Sequence, residues 1–151
     1  MRFTRLQDGK GIEIAEYVKG YIQDNKFNRL KIYVGCDSHN RGEFTTYVTT
    51  VVIHVGETGC HVLYNREKVI RINDLWTRLW KEVEKSVDLA NYLRENGINI
   101  HNIDLDLNAD EKHASNKLVA AAKGYVSSMG IKARIKPEIL PAVHAADNLS
   151  K

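Results

Sequence analysis

The chain has 151 residues and a mass of 17.2 kDa, which suits one compact domain. Its residues are 43% hydrophobic, 27% charged and 8% aromatic, a balance that excludes disordered, fibrous and low-complexity proteins. The formal net charge of +3 at pH 7 is only a weak indication of a polyanionic partner. The longest uncharged stretch, residues 44–56, is shorter than the ~20 apolar residues that span a bilayer. We therefore expect no membrane span and, since the N-terminus lacks an apolar signal core, a cytoplasmic location.

The first half of the chain predicts a helix followed by three strands. Apolar residues recur at helical spacing over residues 12–24, which indicates an amphipathic helix. Three later runs are rich in β-branched and aromatic residues and are predicted as strands over residues 30–36, 44–55 and 61–72. Turn-forming residues follow the first run at 37–40 and separate the others at 56–59. This succession predicts an antiparallel meander.

The second half predicts helices and strands in alternation. The predicted elements are a helix over 75–95, a strand over 98–107, a helix over 109–129, a strand over 132–136 and a short helix over 141–151. Asn73 or Asp74 can cap the first of these helices, and Gly97 and Gly130 can end the two long ones. Strands that are joined through a helix run parallel, so the order βββαβαβα predicts an α/β fold with a five-stranded mixed sheet.

Three acidic residues lie on predicted strands or at their ends. Asp37 follows the first strand, and the carboxyl end of a strand in an α/β sheet faces the crevice where ligands bind, although Asp is also an ordinary turn residue. Asp104 and Asp106 are two residues apart, so they share one face of a strand about 6.6 Å apart. Apolar residues alternate with them, which favours a central strand over a solvent-facing edge strand. Two like charges buried there would need a cation or a basic group between them.

Two further carboxylates lie on predicted helices. Glu82 falls at the border of the apolar stripe of the 75–95 helix, which is expected of a side chain that faces a site; an intrahelical pair with Arg78 or Lys85 is the alternative. Asp147 lies among alanines in the last helix, and these small neighbours would allow the helix to approach a sheet closely.

Four segments carry a resemblance to a known family. They are GCDSHN, RLWKEVEKS, DLDLNADEKHASNK and IKPEILPAVHAADNLSK, and they resemble the YkuK-type family of ribonuclease H-related proteins over roughly residues 29–151. The resemblance implies a ribonuclease H-like fold for a domain over residues 29–151, with residues 1–28 as a helical extension outside it. Carried over by position, it implies an acidic set of Asp37, Glu82, Asp106 and Asp147. Asp104 stands where a His is expected in relatives, so the choice between Asp104 and Asp106 as metal ligand stays open.

The resemblance also implies a reaction. A carboxylate cluster can hold Mg²⁺ or Mn²⁺, and two such ions ~3.5–4 Å apart would stabilise both oxygens of a phosphodiester displacement. Asp37 would bridge the ions, Asp106 and Glu82 would complete one site, and Asp147 the other. The candidate catalytic residues are Asp37, Glu82, Asp106 and Asp147; the candidate metal ligands are these four and Asp104; the candidate substrate-binding residues are Ser38, His39 and Lys136.

Basic segments favour nucleic acid as the partner. Residues 60–81 carry five basic and two acidic residues, and residues 112–136 carry six basic residues and no acidic one. Such segments can hold a phosphate backbone. We therefore expect a metal-dependent nuclease, with DNA, RNA and hybrid substrates all open. The alternatives are a non-catalytic nucleic-acid-binding module of the same fold and a small-molecule phosphodiesterase.

Overall fold

The computed structural model describes residues 1–57, 59–108, 110 and 115–151, which form a seven-stranded sheet and four helices. The strands are β1 (Arg2–Arg5), β2 (Gly11–Glu13), β3 (Leu30–Arg41), β4 (Phe44–Val55), β5 (Gly59–Ile70), β6 (Asn102–Asn108) and β7 (Ala133–Lys136). The helices are α1 (Ile14–Asp24), α2 (Leu75–Glu95), α3 (Asn116–Ser128) and α4 (Pro141–Ser150).

The sheet is mixed, with strand order β2-β1-β5-β4-β3-β6-β7. Strands β3, β4 and β5 form the predicted antiparallel meander, and β6 and β7 join beside β3 in parallel, so the predicted mixed α/β sheet is confirmed. The expected count of five strands is too low. Residues 1–28, expected to be helical only, also contribute β1 and β2, and β1 pairs with the free edge of β5. These strands have four and three residues, too few to show a period in the sequence.

Some element boundaries differ from the predicted ones. Strand β3 continues to Arg41 through the expected turn at 37–40, because β4 pairs with it along its whole length up to Arg41↔Phe44. Strand β6 begins at Asn102 and not at residue 98, and α3 begins at Asn116. The expected start of that helix at 109, and residue 58 of the expected turn at 56–59, lie outside the described residues.

The sheet separates two apolar layers. Helices α1, α2 and α3 cover one face, where the side chains of Val34 and Val51 belong to the main core. Helix α4 covers part of the other face, where Tyr33 and Val52 pack against Ala142. Adjacent residues of a strand point to opposite faces, so β3 and β4 supply both layers. In the part of the chain that the structure describes, no helix is long and apolar enough to cross a membrane.

Helix α4 is fixed to the sheet at its first turn. A Cβ atom on Gly35 would lie 2.9 Å from the Cβ of Ala142, so only glycine allows this approach. The Thr50 hydroxyl donates to the carbonyl oxygen of Ala142 at 2.7 Å, and the Ala142 N–H donates to a carboxylate oxygen of Asp104 at 2.9 Å. Three neighbouring strands thus determine where α4 lies on the sheet.

Replacement of Gly35 by Ala is expected to lower the free energy of unfolding by about 1–3 kcal/mol, because the added methyl group forces α4 away from β3. Chemical denaturation would measure the change. Gly20→Ala in α1 is the matched control: no atom lies within 4 Å of its added Cβ, so we expect stabilisation by about 0.5–1 kcal/mol. Equal effects of the two substitutions would contradict the close approach of α4.

Candidate functional site

The pairing of β3 with β6 places two carboxylates side by side. These parallel strands are in register over Tyr33↔Asn102 to Gly35↔Asp104. Asp37 and Asp106 each lie two residues beyond the last of these pairs, on the face that carries α4. The carboxyl group of Asp37 is buried, and burial together with the negative charge of Asp106 raises its pKa to about 7. Ionisation of Asp37 therefore lowers the free energy of unfolding.

Helix α4 brings a third carboxyl group to Asp37. The carboxyl groups of Asp147 and Asp37 lie close enough for each to shift the pKa of the other. Burial opposes ionisation of Asp147, but the interactions with Lys151 and Asp37 outweigh it, so the pKa of Asp147 lies below its usual value. Contact between the two depends on the approach of α4 at Gly35.

Glu82 approaches from the opposite side of β3. Its side chain on α2 is 6% exposed, and the Ser38 hydroxyl donates to its Oε1 at 2.5 Å. Burial is the main cause that raises the pKa of Glu82 well above its usual value, and the charge of Asp37 raises it further. Among the described residues, Glu82 forms no ion pair with Arg78 or Lys85, the predicted alternative, and Lys85 pairs instead with Glu67. Glu82 thus faces the sheet and not the bulk solvent.

Asp104 has a different environment from Asp106. It is fully buried; its Oδ1 accepts from the Arg134 guanidinium at 2.8 Å, and its Oδ2 accepts from the N–H of Ala142 at 2.9 Å. Burial raises the pKa of Asp104 more than these two partners lower it. Both oxygens of Asp104 therefore connect β6 to β7 and α4. The acidic side chain of β6 that lies beside Asp37 is Asp106.

Two lysines lie against the outer carboxylates. The ammonium group of Lys136 is 2.5 Å from Oδ1 of Asp106, and that of Lys151 is 3.1 Å from Oδ2 of Asp147. The hydrogen bond with Asp106 raises the pKa of Lys136. A cavity of about 320 Å³ opens here, and its walls include Asp106, Lys136, His144 and Asp147. Lys136, expected to bind substrate, thus lies at the carboxylates.

The other two expected substrate-binding residues lie on different faces of β3. Ser38 is on the α2 side, where its hydroxyl is committed to Glu82. His39 is exposed on the α4 side, two residues beyond Asp37. Of the three, His39 and Lys136 lie on the face of Asp37.

The donors suit a hard divalent cation, although their present spacing does not enclose one. Among the described residues, no group of three or more His, Cys, Asp or Glu side chains is close enough together to hold a metal ion. Carboxylate oxygens are nevertheless the ligands that Mg²⁺ and Mn²⁺ prefer. The raised pKa of Asp37 reflects burial and a neighbouring negative charge, and a nearby cation would offset both. By donor chemistry and charge, Asp37, Asp106 and Asp147 fit such an ion.

Sequence reasoning missed two cations of this site. Arg134 is on the same face of β7 as Lys136, and the alternation in IKARIK could have indicated this. Lys151 lies four residues after Asp147, a spacing that places both side chains on one side of a helix. The spacing of residues in the sequence could therefore have indicated both Arg134 and Lys151.

Comparisons with known proteins agree with this fold. The family model described as Ribonuclease H-like matches residues 13–151, nearly the whole chain. Comparisons with curated proteins and with solved structures gave no significant match. The family match spans β3, α2, β6 and α4, the four elements that carry the carboxylates. The chain therefore belongs to the ribonuclease H-like family.

Proposed function

We propose that this protein is a metal-dependent nuclease that hydrolyses phosphodiester bonds of nucleic acid in the cytoplasm. The observation that carries the proposal is that Asp37 and Asp106 follow the last registered pair of two neighbouring parallel strands by two residues each, with Asp147 of α4 beside Asp37. Asp37, Asp106 and Asp147 come from three separate elements and have no structural need to lie near one another, because burial and repulsion of like charges destabilise the fold. Membership of the ribonuclease H-like family supports the same conclusion.

Each side chain has a distinct role in the proposed reaction. Asp37, Asp106 and Asp147 would hold Mg²⁺ or Mn²⁺, and Glu82 would join them from the α2 side. When bound, the ions stabilise charge on the attacking and leaving oxygens. Ser38 orients the Glu82 carboxylate through its short hydrogen bond. Lys136, which is half exposed beside Asp106, would bind a substrate phosphate at this site.

Cleavage assays test the proposal. Fluorescent DNA, RNA and hybrid oligonucleotides would be incubated with Mg²⁺, Mn²⁺ or EDTA, and we expect cleavage only with a divalent ion. The variant Asp37→Asn removes an anionic ligand while keeping the side-chain shape, so its kcat should fall by about 100-fold or more. Asp88→Asn, an exposed carboxylate of α2, is the matched control and should retain activity. Unchanged cleavage by the Asp37→Asn variant would rule the mechanism out.

One observation favours a non-catalytic nucleic-acid-binding module as the second candidate. Lys136 and Lys151 already neutralise Asp106 and Asp147, as they would in a site kept for packing. This alternative predicts that oligonucleotides bind with the same affinity and salt dependence with and without Mg²⁺, and that no cleavage follows. A salt titration of binding under both conditions separates the two candidates.

A further inference from the structure

Part of the sheet face that carries Asp37 extends beyond α4. Helix α4 packs over the part of β3 and β4 near Gly35 and Thr50, while the far ends of β3, β4 and β5 extend beyond it. Two rows of paired residues cross this open part of the face, His39–Thr46–Lys68 and Arg41–Phe44–Ile70. The row Asp37–Val48–Arg66 lies at its border, where Val48 is buried, and begins with a carboxylate of the candidate site. The open face is thus continuous with that site.

The open face carries cations without acidic partners. Within the described ranges, Arg41, Arg66 and Lys68 are exposed, and none of them forms an ion pair. They line a cavity of about 360 Å³, which we call the Arg66 cavity, together with Phe44, Thr46, Ser150 and Lys151. Three positive charges around one concave surface attract a polyanion.

Arg66 is held in place before any ligand binds. Its guanidinium group donates to the carbonyl oxygen of Leu149 at 2.5 Å and lies 5.7 Å from the ring centre of Tyr64. In contrast, the guanidinium group of Arg71, from the same basic segment, donates hydrogen bonds to Oδ1 of Asn73 and to the carbonyl oxygen of Gly42. The structure therefore distinguishes the cations of this segment that can bind a ligand from one that stabilises a turn.

An exposed aromatic ring borders the same cavity. Phe44 is 49% exposed, and its cross-strand neighbour Ile70 is 84% exposed. Cations beside an exposed aromatic ring are the combination that binds single strands, because the phosphates meet the charges and an unpaired base stacks on the ring. Bases of a duplex are already stacked and paired, so they cannot use such a ring in this way.

We propose that the Arg66 cavity is a phosphate subsite for single-stranded nucleic acid, with an unpaired base on Phe44. Arg66 is two strand spacings from Asp37, or about 10 Å, so one strand can occupy the subsite and the carboxylates together. This inference rests on the proposed function for what happens at the carboxylates, whereas binding in the Arg66 cavity requires no cleavage.

Binding measured in EDTA tests the subsite separately from catalysis. Fluorescence anisotropy would follow short end-labelled single strands of DNA and of RNA, and a duplex of the same length. For the variant Arg41→Gln/Lys68→Gln we expect roughly 10-fold weaker binding of single strands and a salt slope smaller by about 1.4, since each phosphate contact contributes about 0.7. Phe44→Ala should weaken binding about 5-fold or more. Lys81→Gln/Lys123→Gln changes the charge equally on exposed helix positions of the other face and should leave affinity within about 2-fold.

The outcomes separate the subsite from the proposed function. Equal losses in both double variants, an unchanged affinity of Phe44→Ala, or tighter binding of the duplex would overturn the subsite. Selective loss of single-strand binding in a protein that cleaves nothing would support the subsite and reject the nuclease. Metal-dependent cleavage with an unchanged KM in Arg41→Gln/Lys68→Gln would support the nuclease and reject the subsite. Thermal unfolding of each variant confirms that these exposed substitutions leave the fold intact.

Discussion

The variant Asp37→Asn is expected to be more stable than the parent protein at about pH 8, by roughly 2–4 kcal/mol. The folded-state pKa of Asp37 is raised from 3.8 to about 7 by burial and by the charge of Asp106. Between these two values the folded protein binds a proton that the unfolded chain releases. Stability contributed by the protonated group is therefore lost as the pH rises from about 4 to about 7. Asn carries no charge at any pH and avoids this loss.

Chemical denaturation at about pH 4 and about pH 8 would measure this effect. At the lower pH both side chains are neutral and the two proteins should differ little, whereas at the higher pH the variant should be more stable. Asp88→Asn, on the exposed side of α2, should show no such pH dependence. A stability difference that is the same at both pH values would show that Asp37 does not carry the raised pKa. If the protein has the proposed function, added Mn²⁺ should stabilise the parent protein more than Asp37→Asn, because the ion would bind the carboxylates of the folded protein alone.

The variant Asp104→Ala is expected to lose about 3–5 kcal/mol of stability. Asp104 is 0% exposed and holds Arg134, whose side chain is 17% exposed and lies over the ring of Tyr33. Without the carboxylate, the guanidinium group keeps its charge with no partner, and the N–H of Ala142 loses its acceptor. Removal of one member of a buried pair costs far more than removal of both. The double variant Asp104→Leu/Arg134→Leu should therefore recover much of the loss.

Asp106→Ala is the matched control for this prediction. Asp106 is two residues further along the same strand, and its partner Lys136 is 50% exposed, so loss of that pair should cost about 1 kcal/mol at most. Its removal also relieves the repulsion on Asp37, which offsets the cost. Urea denaturation of the three variants would compare them. Equal losses in Asp104→Ala and Asp106→Ala would contradict the structural role of Asp104.

The sequence predicted the elements whose signals are local. β4 matches its predicted range over 44–55 because nearly every residue there favours a strand, and α2 has a capping residue at Asp74 and ends just before Gly97. Pro141 lies in the first turn of α4 as expected, and Gly130 follows α3 at positive φ. Each of these signals depends on residues within a few positions of one another.

Features that depend on pairing between distant segments were missed. β1 and β2 exist because β5 presents a free edge, and nothing within residues 2–5 indicates that partner. Strand β3 passes through the turn-forming residues 37–40 because the long β4 partner outweighs local preference. That Asp104 is held by Arg134 and α4, and that Asp106 lies beside Asp37, also depends on the fold, since Arg134 and the first turn of α4 are at least thirty residues from Asp104 in the chain.

The short register between β3 and β6 has a consequence for the precision of the site. Only three residue pairs, from Tyr33↔Asn102 to Gly35↔Asp104, set the alignment of these strands. A slip by a single residue would turn Asp106 toward α2 and expose its apolar neighbour in its place. The buried leucines at 105 and 107, on the far side of β6, oppose such a slip because it would remove them from the core. Residues that never touch a substrate therefore determine the distance between the two aspartates.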